Sequence, residues 1–150
     1  MKILTPLVAT AFTVSALASL SVFAQERTHI NPNHPSQEGV SPFSGAVLAD
    51  NTLYISGTLG LNEDRQVPSD PAIEARNVLN GIKGQLEDAG MTMDDLTYVQ
   101  IFCSDLSLYE VFNDVYRTYF SEEFPARAFI GAGSLLFGAH FEIQAIAVKR

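Results

Sequence analysis

Apolar residues recur along this chain in two rhythms, and the changes between them mark out the elements. Ala46 to Ala49 and Leu53 to Ser56 are short runs flanking Asp50-Asn51, whose side chains tolerate the positive φ of a tight turn, so a β-hairpin is predicted there. Asp70-Pro71 signals a helix start. Ile73, Val78, Leu79, Ile82, Leu86 and Ala89 then place apolar groups on one helical face before Gly90 closes it. Gly81 and Gly84 lower the intrinsic propensity of this helix, so packing on a sheet must hold it. Leu96 to Cys103 is rich in β-branched and aromatic residues and predicts a strand. Ser107 with Glu110 reads as a capping box before Val111, Phe112, Val115, Tyr116 and Tyr119, a second helix. After Pro125, Ala126 to Gly131 and Phe141 to Val148 read as strands. In the latter, Phe141, Ile143, Ala145 and Ala147 alternate with Glu142, Gln144, Ile146 and Val148.

The predicted order is β-β-α-β-α-β-β, an α+β domain over residues 41–150. With both helices on one face of a sheet, the other face is bare. Two of the last strand's groups there, Ile146 and Val148, are apolar, and self-association is the economical cover. Residues 25–40 are polar and contain Asn31-Pro32-Asn33-His34-Pro35, which disfavours helix and predicts an extended arm or loop leading into the domain. Gly60 to Ser69 is an ordinary connection.

The start of the chain has a different character. Lys2 precedes an apolar run from Ile3 to Leu20, and Val22 and Ala24 suit signal-peptidase cleavage before Gln25. Residues 1–24 are therefore read as a signal peptide, with an exported, periplasmic mature chain that is not held at a membrane. A retained anchor fits less well, because Pro6 and several hydroxyls interrupt the run and no basic stop-transfer residues follow.

The 150 residues are 47% hydrophobic and 17% charged, enough for one real core. Removing residues 1–24 discards only Lys2 among charged groups, so the formal net charge goes from −8 to −9. That balance repels phosphate backbones and anionic lipid, which argues against nucleic acid as a partner. Cys103, the only cysteine, has no intramolecular partner and sits in an apolar run that suits a buried structural thiol. His29, His34 and His140 show no metal-ligand spacing, and no nucleotide or nucleophile-elbow fingerprint is present, so neither metal nor cofactor is implied.

Several segments occur in the order found in one family. They are Pro42-Phe43-Ser44-Gly45-Ala46-Val47, Tyr54-Ile55-Ser56-Gly57, Phe112-Asn113-Asp114-Val115-Tyr116, Phe124-Pro125-Ala126-Arg127 and Phe141 through Val148. In these the chain resembles the RidA (YjgF) family of enamine and imine deaminases over residues 41–150. The resemblance implies a chorismate-mutase-like fold with a mixed sheet, a homotrimer with clefts between subunits, and hydrolysis of species such as 2-aminoacrylate or 2-iminobutanoate to 2-oxo acids and ammonia. It also implies roles for individual residues. Arg127 would anchor a substrate carboxylate through its planar fork, a task its permanent charge suits. Asn113 and Gln144 would orient water, and Phe43, Ser44, Ser56, Gly57 and the Phe129 backbone N–H would line the cleft. Some relatives are known as endoribonucleases, a role the acidity of this chain argues against.

The departures from the family pattern fall near the chemistry. Gln144 stands where active members usually carry glutamate, and an amide can orient water but cannot take its proton. Glu142, two residues away on the same side of the strand, is the nearest carboxylate in sequence. Phe43 replaces a common tyrosine, Gly45 a larger polar residue, and the Gly131 to Ala139 loop reads Gly-Ser-Leu-Leu-Phe-Gly in its middle. Two functions therefore stand side by side: a deaminase with weakened activity or altered substrate, and a non-catalytic binder of 2-oxo acids or related small carboxylates. A trimeric chaperone-like surface is a third.

Overall fold

The computed structural model describes residues 26–34 and 36–150. The signal-peptide reading of residues 1–24 lies outside these. Strands β1 (Arg27–Ile30), β2 (Ala46–Ala49), β3 (Thr52–Leu59), β4 (Leu96–Cys103), β5 (Ala126–Gly131) and β6 (Phe141–Val148) form one sheet, and α1 (Pro71–Asp88) and α2 (Tyr109–Tyr116) complete the fold. The spatial order is β1-β2-β3-β6-β4-β5. Every pairing is antiparallel except that of β4 with β5, whose strands α2 connects, so the sheet is mixed as expected. The predicted seven elements are present, and β1 is an addition: the first part of the expected arm pairs with β2 instead of remaining outside the sheet.

Both helices pack on one face. Ala75, Val78, Leu79, Ile82 and Leu86 of α1 are buried against Leu53, Ile55, Ile143, Ala145 and Ala147 of the sheet, while Phe112 of α2 lies 4.9 Å from Phe141, ring centre to ring centre. The period of two in β6 explains the division. Its odd-numbered residues from Phe141 to Ala147 are buried and its even-numbered ones are at least partly exposed. The opposite face carries Tyr54 and Tyr98, both exposed.

Capping residues end the elements where expected in one helix and not in the other. The Asp70 carboxylate accepts from Ala72 N–H at the start of α1. At its end Gly90, at φ +70°, lets its N–H reach Glu87 O and that of Met91 reach Leu86 O, which also accepts from Ala89 N–H, so the last turn's carbonyls are satisfied there. The Ser107–Glu110 capping box does not form. A 3-10 turn, Leu106–Leu108, precedes α2 and the Asp105 carboxylate caps it by accepting from Ser107 N–H. The apolar face of α1 holds at Val78, Leu79, Ile82 and Leu86 and departs from the expectation in the first turn, where Ile73 is exposed and Glu74 is fully buried.

A polar cluster fixes the approach to β5. Asp94 accepts from the N–H and hydroxyl of Ser121 and from Glu122 N–H, and Arg150 bridges Asp95, the Asp94 carbonyl and Glu122. The Ser121 hydrogen bonds hold the Asp94 carboxyl below its ordinary value. Burial opposes ionisation of Asp95, yet the hydrogen bonds from Thr92 and Arg150 outweigh it and lower that carboxyl too. These ionised groups tie down the chain just before Phe124, Pro125 and Arg127.

Candidate functional site

Tyr109, Asn113 and Tyr116 follow one another at i, i+4 and i+7 on α2 and share one face of the helix. That face meets β5, where Arg127 and Phe129 project toward the helices. Phe129 makes edge contacts with Tyr109 at 5.0 Å and Phe112 at 5.5 Å. The Arg127 guanidinium carbon lies 4.7 Å from the Tyr116 ring centre, 5.8 Å from Phe129 and 6.0 Å from Tyr109. Each such cation–π contact is worth about 0.5–1 kcal/mol where water has access. These rings orient the guanidinium without neutralising it, and among the described residues no carboxylate pairs with Arg127.

Arg127, Asn113, Tyr116, Tyr109 and Phe124 line a cavity of about 230 Å³. Asn113 is 5% exposed, with its side-chain amide at the wall of this cavity. A guanidinium with no carboxylate partner among the described residues, beside a buried amide, can receive an anion: the fork offers two parallel N–H groups, and the amide can donate or accept. Burial pushes the Tyr116 hydroxyl up to about 12, with Arg127 opposing only in part, so it stays protonated.

The other expected site residues lie elsewhere. Gln144 was expected to act with Asn113, but the two do not meet within one chain. In the sheet register Gln144 pairs with Gln100, whereas Arg127 pairs with Val99, so the two side chains point to opposite faces. Gln144 instead donates from Nε2 to Gln100 Oε1 at 3.0 Å, near the exposed rings of Tyr54 and Tyr98. Phe43, Ser44 and Ser56 line a cavity of about 1160 Å³ beneath the arm, toward the β1 side of the sheet. There Ser56 donates to the Ser44 carbonyl at 2.7 Å, Asn33 donates to the Phe43 carbonyl at 2.9 Å, and His29 Nδ1 is 3.0 Å from Ser44 Oγ. The β3–β6 register shifts between Ile55 and Thr58, at Ser56-Gly57. Glu142 packs its carboxylate so close to Gly57 that no other residue fits that position without displacing it.

Sequence reasoning missed Tyr109 and Tyr116 as walls of the Arg127 cavity, although their spacing from Asn113 was readable. It also missed the buried Glu74, which accepts from Nδ1 of His140 at 2.7 Å and from the backbone N–H groups of His140 and Phe141 at 2.6 and 3.0 Å. Cys103 is fully buried and its thiol donates to the Asp105 carbonyl at 3.0 Å; burial raises its pKa, leaving it a structural thiol. No group of three or more His, Cys, Asp or Glu among the described residues could hold a metal ion.

The Endoribonuclease L-PSP family model matches residues 34–149. The chain is 38% identical over 112 residues to the 2-iminobutanoate/2-iminopropanoate deaminase of Bos taurus, which covers 73% of this chain and 82% of that protein. Among solved structures, it is similar to RidA from an Antarctic Psychrobacter species, with a TM-score of 0.69 and 34% identity over 73% of this chain and 89% of that one. It is also similar to the Escherichia coli YjgF gene product, with a TM-score of 0.72 and 31% identity over 82% and 98% of the two chains. The match spans most of the chain and agrees with the fold and with the segments that carry the resemblance, and the chain belongs to the RidA (YjgF) family.

Proposed function

We propose that the protein hydrolyses small imines bearing a carboxylate, of the 2-iminobutanoate and 2-iminopropanoate class, to a 2-oxo acid and ammonia. The unpaired Arg127 guanidinium facing a cavity beside Asn113 carries this reading. Its fork would hold the carboxylate in the plane of two N–H groups, placing the adjacent C=N carbon near Asn113. Water adds to that carbon, its proton passes to nitrogen, and collapse of the carbinolamine expels ammonia and leaves the C=O group.

One chain holds the pieces on opposite faces of its sheet, so in this reading the site is completed between subunits. The open face with Ser56, Gly57, Glu142 and Gln144 would lie over a neighbour's Arg127 cavity in a homotrimer, which would also cover Tyr54 and Tyr98. Light scattering on residues 25–150 is expected to give three copies; a monomer at micromolar concentration would exclude the shared cleft. The apolar segment before residue 25 supports export of the mature chain to the periplasm.

Gln144 limits the rate in this scheme, since its amide cannot accept the proton of the attacking water. General acid–base help is worth roughly 10²–10⁴-fold. Wild type is expected to accelerate 2-oxobutanoate release from 2-iminobutanoate generated in situ, and Gln144→Glu to raise that rate at least about tenfold. Failure of both proteins to exceed the uncatalysed rate would reject the deaminase reading. The engagement of Gln144 with Gln100 favours a second reading, a binder of 2-oxo acids. Stabilisation by 2-oxobutanoate without turnover by either protein would support it.

A further inference from the structure

The Tyr116 hydroxyl is buried without a hydrogen-bond partner among the described residues, although the side chain lines the Arg127 cavity and is only 2% exposed. Its surroundings make this notable. Phe112, Phe120 and Phe124 all stack or tilt against the Tyr116 ring at centroid distances of 5.9, 4.7 and 6.2 Å, so the packing at this corner is otherwise built from phenylalanine. A phenylalanine at 116 would keep those ring contacts and remove a buried polar atom that destabilises the fold when left unpaired. The hydroxyl thus calls for a partner beyond the described residues. The Arg127 guanidinium over the same ring selects that partner: an anion is favoured there, and its oxygen can accept from the hydroxyl.

We infer that Tyr116 is a third binding group of the Arg127 cavity, its hydroxyl donating to an oxygen of the bound carboxylate. This rests on the carboxylate-anchoring reading of Arg127 and adds to it a donor with a fixed direction. The guanidinium supplies charge and two parallel N–H groups, and the hydroxyl reaches the carboxylate from the helix side. Such a site selects a planar anion with two oxygens over a neutral carbonyl compound of the same size.

The test is Tyr116→Phe, read by calorimetric titration with 2-oxobutanoate and with the neutral ketone 2-butanone, together with thermal unfolding of the ligand-free protein. The variant is expected to bind 2-oxobutanoate about tenfold more weakly, the usual weight of one hydrogen bond to a charged group. The weak response to 2-butanone should not change, and the ligand-free melting temperature should hold or rise, since an unpaired hydroxyl has been removed. A fall of several degrees in the ligand-free protein would show that the hydroxyl serves the fold and would overturn the inference. So would unchanged affinity for 2-oxobutanoate. Arg127→Ala in parallel separates the two ideas: if it abolishes binding while Tyr116→Phe binds normally, only the hydroxyl role fails, and if neither affects binding, the cavity is not the carboxylate site.

Discussion

Arg127→Ala is expected to weaken binding of 2-oxobutanoate by on the order of 100-fold or more, measured by titration calorimetry, and to reduce imine turnover in the same proportion. Two charge-assisted hydrogen bonds are lost at once, each worth about 1.5–3 kcal/mol, and every 1.36 kcal/mol is a factor of ten. The ligand-free protein should be little affected, because no carboxylate among the described residues depends on this guanidinium and its ring contacts are individually small. Arg127→Lys discriminates between charge and shape. A lysine keeps the charge but not the fork, and its ammonium cannot lie flat among Tyr109, Tyr116 and Phe129, so most of the affinity should still be lost. If Arg127→Ala bound 2-oxobutanoate within threefold of wild type, the anchor would lie elsewhere, and the proposed function would lose its main support.

How far the site was legible in the sequence depends on which interactions define each part. The β2–β3 hairpin, α1 and β6 follow from local rules: Asp50 takes the positive φ of the turn, Gly90 closes α1, and β6 alternates without a fault. Asn113 and Arg127 line one cavity because an α2 face and the odd-numbered side of β5 meet, while the Phe129 ring packs on Tyr109 and Phe112. What sequence could not supply is register. Whether Gln144 lies beside Gln100 or faces Arg127 is decided by the pairing of β6 between β3 and β4, a long-range property with no local signature. The same holds for β1, whose four residues read as an arm until β2 offers them a free edge. The α2 cap failed as an expectation because Ser107 and Glu110 satisfy the motif by spacing, while the chain enters the helix through a 3-10 turn that Asp105 caps first.

Glu74→Ala should be the most damaging single change to stability, lowering it by about 3–5 kcal/mol as measured by chemical denaturation at fixed protein concentration. A scale of apolar periodicity places glutamate outside and Ile73 inside; the structure does the reverse, because the partners of Glu74 are 66 and 67 residues away. Its fully buried carboxylate accepts three hydrogen bonds, two from the backbone at the start of β6 and one from the His140 ring. Gly60 runs so close to the Glu74 backbone that a side chain there would collide with the carbonyl, leaving no slack for the helix to move toward the vacated space. Alanine would strand the N–H groups of His140 and Phe141 and leave a void; glutamine would still accept both backbone hydrogen bonds at Oε1, where both N–H groups point, and the His140 ring can change tautomer to accept from its amide. The expected order of stability is wild type, then Glu74→Gln, then Glu74→Ala, with the first step nearer 1 kcal/mol. A loss below about 1 kcal/mol for alanine would mean that water replaces the carboxylate without penalty. The consequence reaches the site, because His140 and Phe141 open the strand that carries Glu142 and Gln144, so an anchored start fixes where those two side chains stand on the open face.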